Sequence, residues 1–102
     1  MALNKVNSET FKAQVLDNSK PVLVDFYADW CGPCKMLTPV IEQIAGESSD
    51  YEVYKLNVDE VPELAVQYGV MSIPTLIVFK NGQVAAKTIG VQSKQNILNM
   101  LG

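Results

Sequence analysis

The chain has 102 residues, of which 48% are hydrophobic and 19% charged, a composition typical of one globular domain with a single core. Its formal net charge is −3 and its lysines form no cluster, which argues against nucleic acid as a main partner. Residues 1–10 lack the features of a secretory signal, and no apolar run is long enough to span a membrane. We therefore expect one domain over residues 1–102 in the cytoplasm, although a mature organellar protein has the same features.

The N-terminal segment predicts a short strand followed by a helix. Ala2 to Val6 alternates weakly between apolar and polar residues, as a short strand does. Asn7 or Ser8 can cap a helix that runs to about Asn18, where a polar break precedes Pro21. The buried stripe of this helix comprises Phe11, Val15 and Leu16.

The next two elements are a strand and a helix that meet at a pair of cysteines. Val22 to Tyr27 is continuously apolar apart from one acid, which predicts a central strand buried on both faces. Lys35 to Ala45 has helical spacing, and Pro39 should kink this helix rather than end it because the apolar stripe continues beyond the proline. That stripe comprises Leu37, Val40, Ile41 and Ile44.

A second strand and a short helix follow. Glu52 to Asn57 reads as the strand. Asp59 can cap a helix from about Val61 to Tyr68, with Pro62 in its first turn and Gly69 as its stop.

The last third predicts a hairpin and a terminal helix. Thr75 to Lys80 and Gln83 to Ile89 flank Asn81-Gly82, a strong signal for a two-residue hairpin turn. Ser93 can cap the final helix, whose core-facing residues are Ile97, Leu98 and Leu101. Parallel crossovers come first and an antiparallel hairpin last. We therefore predict an α/β fold with a central mixed β-sheet and helices on both faces.

Cys31 and Cys34 lie where the first long strand passes into a helix. Two residues three apart at a helix start share one face, at about 5 to 6 Å between Cβ atoms, which is near disulfide reach. The positive end of the helix dipole stabilises a thiolate, most strongly at Cys31. Gly32 allows another chain to approach closely, and Pro33 preorganises the first turn. This pattern predicts thiol–disulfide chemistry.

Two other interpretations of the cysteine pair are possible. A structural cross-link that closes so short a loop would constrain little of the unfolded chain. A structural zinc site needs more soft ligands than two cysteines, and the chain has no histidine, so a metal would require a second chain. We therefore predict a redox pair and no metal site within one chain.

An ordered set of motifs along nearly the whole chain resembles the thioredoxin family. A lone Cys-x-x-Cys is weakly specific, whereas the ordered set is highly specific. Its members are Val24-Asp25-Phe26, Ala28, Trp30-Cys31-Gly32-Pro33-Cys34-Lys35, Pro39, Lys55-Leu56-Asn57-Val58-Asp59, Tyr68-Gly69-Val70, Ile73-Pro74-Thr75, Phe79-Lys80-Asn81-Gly82 and Gly90. The resemblance implies a thioredoxin fold, in which the sheet lies between two layers of helices.

The resemblance also implies roles for residues outside the cysteine pair. From the sequence alone Asp25 could lie on an exposed strand edge, but it aligns with the family's buried acid, which accepts a proton from the resolving cysteine. Lys55 aligns with a lysine that tunes the pKa of that acid, although it could equally be an ordinary solvated lysine. Pro74 aligns with the family's cis-proline. The implied substrate-binding residues are Trp30, Ile73, Pro74, Gly90 and Val91, with Gly32, Pro33 and Met71 beside them.

The implied activity is protein disulfide reduction, with Cys31 as nucleophile and Cys34 as resolving thiol. The family has no bound cofactor and receives electrons from NADPH through a flavin-containing thioredoxin reductase. The implied partners are that reductase and disulfide-containing proteins, and we expect a monomer. Two alternatives are a disulfide oxidase or isomerase on the same fold and a redox-independent binding or processivity subunit. The chain departs from the common pattern at Tyr27, where many members have tryptophan, and at Met71-Ser72.

Overall fold

The computed structural model describes residues 3–102 and contains a five-stranded mixed sheet in the order β1-β3-β2-β4-β5. Strands β1 (Asn4–Lys5), β2 (Val22–Tyr27) and β3 (Glu52–Asn57) are parallel, and β4 (Thr75–Lys80) and β5 (Gln83–Ile89) form the antiparallel part. The predicted mixed sheet is confirmed, and the four longer strands have their predicted bounds. The predicted start of the first strand, at Ala2, lies outside the described residues.

Strand β2 is the centre of the sheet, as its continuous apolar sequence predicts. It pairs with β3 on one side and β4 on the other, and every residue except Tyr27 is buried. Alternate residues of β2 face opposite sides of the sheet. Val24 and Phe26 pack with Phe11 on one side. Leu23 packs on the other side, against Leu37, Ile41, Ile44 and Ile97.

Helices cover both faces of the sheet. Helices α1 (Gly32–Ala45) and α3 (Lys94–Leu101) supply the residues that pack on the Leu23 side, and α2 (Pro62–Gln67) contributes to the opposite side. Helix α1 continues through Pro39, which is exposed, and Ser93 caps α3 by accepting a hydrogen bond from the Asn96 N–H at 3.1 Å. Within residues 3–102, none of the helices is long and apolar enough to cross a membrane.

The first helix is shorter and wider than predicted. It is a π-helix over Lys12–Leu16, in which the Asp17 N–H donates to the Lys12 carbonyl at 2.8 Å. The prediction that it extends to Asn18 is wrong. The Asn18 side-chain amide donates to the Gln14 carbonyl at 3.0 Å, and this bond replaces the backbone N–H that a longer helix would supply. Asn7 caps the turn that leads into this helix, since its Oδ1 accepts hydrogen bonds from the N–H groups of Glu9 and Thr10, whereas Phe11, the residue directly before the π-helix, makes no side-chain capping bond.

The predicted capping of α2 by Asp59 is also wrong. The residue before α2 is Val61, whose side chain makes no capping bond. Asn57, at the end of β3, instead accepts hydrogen bonds from the N–H groups of Asp59 at 2.9 Å and Glu60 at 3.4 Å. An Asn side chain that binds the backbone two residues later forms a local turn, so this asparagine shapes the loop and leaves the Asp59 carboxylate free for another contact.

The β4–β5 hairpin has the turn that Asn81-Gly82 predicts. Both residues have positive φ, 55° at Asn81 and 78° at Gly82, as a two-residue hairpin of this type requires. The turn also packs against the end of the π-helix, because a Cβ atom on Gly82 would lie 3.0 Å from the Leu16 carbonyl oxygen. Gly82 is therefore required both for its backbone conformation and for this close approach.

Candidate active site

The two cysteines lie at the carboxyl end of β2, where open α/β sheets generally have their sites. Cys31 is the N-cap of α1, Pro33 is in the first turn, and the two cysteine Cα atoms are 5.3 Å apart. The cysteines form a disulfide, and the Cys34 N–H donates a hydrogen bond to Cys31 Sγ at 3.2 Å. The two cysteines therefore lie together at the start of a helix, as their spacing in the sequence predicts.

The position of Cys31 favours its ionised form once the disulfide is reduced. The first N–H groups of a helix have no partner within the helix and carry a partial positive charge. One of them already points at Cys31 Sγ, so a thiolate there would accept a charge-assisted hydrogen bond. Such surroundings lower a thiol pKa and increase the fraction of the nucleophilic form.

The disulfide is less exposed than the flanking residues. Cys31 and Cys34 are 4% and 2% exposed, whereas Gly32 and Pro33 between them are exposed. The cysteines and Ala28 form a small apolar cluster, and the residues packed against it are Tyr27, Val58 and Ile73. The exposed surface next to the cysteines therefore consists of the Gly32-Pro33 turn, with the partly exposed Ile73 beside it.

Asp25 lies in the interior, on the same face of β2 as Tyr27, which packs against this cluster. It is two residues from Leu23 on β2 and so faces the same side of the sheet as Leu23, towards α1. Its exposure is 3%, and Oδ1 has no hydrogen-bond partner among the described residues. Desolvation raises the pKa of Asp25 from 3.8 to about 7, against an opposing effect of the Lys55 charge. The exposed-edge alternative is excluded because β2 is central.

Lys55 is the cation next to Asp25 in the sheet. The two residues are direct partners in the parallel register of β2 and β3. Lys55 is half-buried, and its Nζ lies 5.6 Å from the centroid of the Tyr27 ring. Sequence reasoning did not find this ring contact.

The loop before β4 forms the other side of the site. The Ile73–Pro74 peptide bond is cis, and the Ile73 carbonyl oxygen lies 3.9 Å from Cys31 Sγ. The Gly90 N–H donates to the Pro74 carbonyl at 2.8 Å, which joins the end of β5 to this loop. Three apolar side chains on the surface around this loop and the cysteine turn are well exposed, namely Trp30 at 71%, Met71 at 94% and Val91 at 46%.

Trp30 is held by Asp59, which the sequence analysis had assigned to the capping of α2. Its Nε1 donates to Asp59 Oδ2 at 2.8 Å, so the loop after β3 holds the indole beside the cysteines. The free Asp59 carboxylate follows from the turn at Asn57, whose side-chain amide also lies 3.5 Å from Asp29 Oδ2. The sequence does contain a signal for this contact. Asn57 is followed two residues later by Asp59, and an asparagine that binds the backbone at that spacing leaves the acid free for another partner.

Removing the Asp59 carboxylate should release the Trp30 side chain. Trp30 is the only tryptophan, so its fluorescence reports on this residue alone. We expect Asp59→Ala to lower the steady-state fluorescence anisotropy and to reduce the free energy of unfolding by about 1 kcal/mol or less, the usual value of one hydrogen bond. Asp59→Asn keeps an acceptor and should retain most of the anisotropy. Equal anisotropy in the two variants would show that the bond does not hold Trp30.

Within residues 3–102, His, Cys, Asp and Glu side chains form no group of three or more that could hold a metal ion. Two cysteines that close a disulfide at a helix N-terminus, with a buried acid nearby, can exchange two electrons with another disulfide. The fold and the site together define a thiol–disulfide oxidoreductase.

The thioredoxin family model matches residues 2–102, and the chain belongs to that family. It is 48% identical to thioredoxin of Rickettsia felis over 99 residues, which cover 96% of this chain and 94% of the relative. It is 50% identical to thioredoxin 1 of Synechococcus elongatus, with 94% and 91% covered, and 51% identical to the chloroplastic M-type thioredoxin of Chlamydomonas reinhardtii, with 91% and 67% covered. The chain is thus a dithiol–disulfide reductase.

Proposed function

We propose that this chain reduces disulfides in other proteins by a two-step exchange that begins at Cys31. The observation that carries the proposal is that Cys31 Sγ occupies the N-cap of α1 and accepts the Cys34 N–H. The Cys31 thiolate attacks one sulfur of the substrate disulfide and releases the other as a thiolate. Cys34 then attacks Cys31 Sγ, which releases the second substrate thiolate and leaves the Cys31–Cys34 disulfide.

Asp25 is the proton acceptor that we propose for the second step. Cys34 must lose its proton before it attacks, and a base works best when its pKa is near the working pH. Burial raises the pKa of Asp25 to about 7, which meets this condition. Lys55 acts on the same carboxyl by favouring its ionised form, so we assign it a tuning role.

The substrate segment binds across the surface around the disulfide, where Trp30 and Val91 are exposed, Ile73 and Gly90 are partly exposed and Pro74 is buried. We assign contact with the substrate to Trp30, Ile73, Pro74, Gly90 and Val91. An extended segment beside Ile73 can pair with its backbone as an added strand does. Gly32 and Gly90 support a close approach, since a Cβ atom at either would have no neighbour within 4 Å.

The finer assignments concern the setting of the reaction. We propose a single thioredoxin domain over residues 1–102 that acts as a monomer in the cytoplasm, the reducing compartment in which cysteine pairs are usually catalytic. The chain itself needs no cofactor for thiol exchange. Its partners are protein disulfides and a flavin-containing thioredoxin reductase, which returns the pair to the dithiol with electrons from NADPH.

The electron source can be tested by coupled turnover. A mixture of NADPH, a bacterial thioredoxin reductase, the chain and a protein disulfide should oxidise NADPH at a rate proportional to the chain concentration. Omission of any one component should reduce the rate to background. A parallel mixture with glutathione and glutathione reductase is the control. Faster reduction of the chain by glutathione than by thioredoxin reductase would contradict this electron source and favour the oxidase or isomerase alternative.

A further inference from the structure

Tyr27 connects two parts of the active site. It is the last residue of β2, and its partly buried ring packs against the cluster that contains Cys31 and Cys34. The Lys55 Nζ lies 5.6 Å from the centroid of the same ring. Asp25 and Tyr27 are two residues apart and so share a face of the sheet, on which Lys55 is the direct neighbour of Asp25.

Few charges face Asp25 from the surrounding elements. Strand β4 places the apolar Leu76 opposite it, and α1 contributes the cysteines and apolar residues. Strand β3 contributes Lys55, and β1 places Lys5 beside Lys55 in register. Lys5 is paired with Glu60 at 3.2 Å, and its pKa is raised by Glu60 and then by Tyr27. Among the ion pairs of the described residues, none includes Lys55.

A lysine outside any close ion pair has a long flexible stem and a strongly hydrated end. Such an ammonium gains more by turning to water than by remaining at the edge of a buried site, unless another group attracts it. The face of an aromatic ring supplies that attraction, worth about 0.5 to 1 kcal/mol at a partly exposed site. Tyr27 is the aromatic residue in this position.

We propose that Tyr27 is a positioning residue for the second step of the reaction: its ring keeps the Lys55 ammonium beside Asp25, so that the carboxyl stays ionised and can accept the Cys34 proton. This inference rests on the proposed function, because it concerns the proton acceptor of that mechanism. The ring performs this task without touching the reacting sulfur of the substrate.

The direct test is a titration of the Asp25 carboxyl in the disulfide form, followed by carbon NMR. Tyr27→Leu removes the ring, and we expect the midpoint of the titration to rise by up to about half a pH unit, because the effect of the ring on the carboxyl cannot exceed the attraction between the ring and the ammonium. Lys55→Met should raise the midpoint as well. In the double variant Tyr27→Leu/Lys55→Met the ring should have no further effect, because no ammonium is left to hold.

Three further variants make the result specific. Tyr27→Phe and Tyr27→Trp keep an aromatic face and should titrate as the wild type does. Tyr51→Leu removes a half-buried ring from the same layer, before the start of β3, and should leave the Asp25 midpoint unchanged. Thermal unfolding of each variant verifies that it is folded under the titration conditions.

Three outcomes would overturn the inference. If Tyr27→Leu shifts the midpoint equally with and without Lys55, the ring acts by excluding water and not through the lysine. If the midpoint falls in Tyr27→Leu, water entry outweighs any loss of charge. The pH profile of turnover should follow the titration in Tyr27→Leu, and a profile that stays at the wild-type position would also contradict the positioning role. A wild type without turnover would contradict the proposed function instead, since the titration does not depend on activity.

Discussion

Replacing Cys31 with serine is expected to abolish disulfide reduction, with a loss of turnover on the order of 10³-fold or more, as for other enzymes that lose their nucleophile. A serine hydroxyl is not ionised near neutral pH and cannot form the mixed disulfide. Serine is nevertheless a preferred N-cap residue, so Cys31→Ser keeps an acceptor for the Cys34 N–H and should preserve α1. The measurement is coupled turnover, with circular dichroism to verify the fold.

Cys34→Ser is the matched variant for this experiment. It retains the nucleophile and removes the resolving thiol, so the reaction should stop at a mixed disulfide between Cys31 and the substrate. Mass spectrometry of the unreduced mixture should detect this adduct with Cys34→Ser and not with Cys31→Ser. The opposite pattern would exchange the roles of the two cysteines. Turnover that persists in Cys31→Ser would contradict thiol exchange as the mechanism.

The oxidised protein should lose stability as the pH rises towards neutrality, because Asp25 is buried. Below pH 3.8 the carboxyl is protonated in both the folded and the unfolded chain, so its burial has no ionisation penalty. Between pH 3.8 and about 7 the unfolded chain releases this proton and the folded chain retains it. The free energy of unfolding therefore falls with rising pH over this interval, and above about pH 7 the loss is complete.

The expected size of this loss is large for a domain of this length. A pKa raised from 3.8 to about 7 corresponds to about 4 kcal/mol in all, of which about 3 kcal/mol falls between pH 5 and pH 8. Small domains have total free energies of unfolding of about 5 to 15 kcal/mol, so the loss caused by Asp25 would be a large part of the stability of this domain. The chain has no histidine, and few other side chains titrate in this interval.

Denaturant unfolding of the disulfide form at several pH values measures this effect. Asp25→Asn has nearly the same shape and does not titrate, so its free energy of unfolding should change little between pH 5 and pH 8 and should exceed that of the wild type at pH 8. The unfolding experiment should not use the reduced protein, because free thiols have ordinary pKa values close to this pH range. Parallel curves for the wild type and Asp25→Asn would mean that the Asp25 carboxyl ionises near its ordinary pKa.

The sheet could be predicted from the sequence because its strands have strong local signals. Val22–Tyr27 is apolar apart from Asp25 and is buried on both faces up to Phe26, and Asn81-Gly82 forms the turn between β4 and β5. The helix pattern through Pro39 was also sufficient, since the apolar residues beyond the proline have the core of the sheet to pack against. In these elements the local preference and the tertiary packing agree.

The two local errors arose where side chains compete with backbone groups. The Asn18 side chain donates to the Gln14 carbonyl and ends the first helix early. The Asn57 side chain accepts from the Asp59 N–H and fixes the loop before α2, and the Asp59 carboxylate binds Trp30 instead of capping the helix. Both asparagines have several possible partners within a few residues, and the sequence does not rank them.

The residues of the site also differ in how far local sequence signals predict their positions. The helix start at Cys31 and Cys34 follows from local spacing. The burial of Asp25 depends on β2 being central, and the pairing of Asp25 with Lys55 depends on the register of two strands that are distant in the chain. The contact of Lys55 with Tyr27 depends on side-chain conformation as well. Residues joined by sheet register are therefore the part that the sequence alone does not specify.

The close packing of Gly82 against the Leu16 carbonyl has a consequence for protein engineering. Hairpin turns are common positions for grafting peptides or attaching labels, because exposed loop tips tolerate insertion. Here a graft between Asn81 and Gly82 would push the turn off the end of the π-helix and disturb two elements at once. The exposed segment at Ser49 and Asp50, between α1 and β3, has no part in the backbone hydrogen bonds that join the loops of the described residues and is the better position for a grafted epitope.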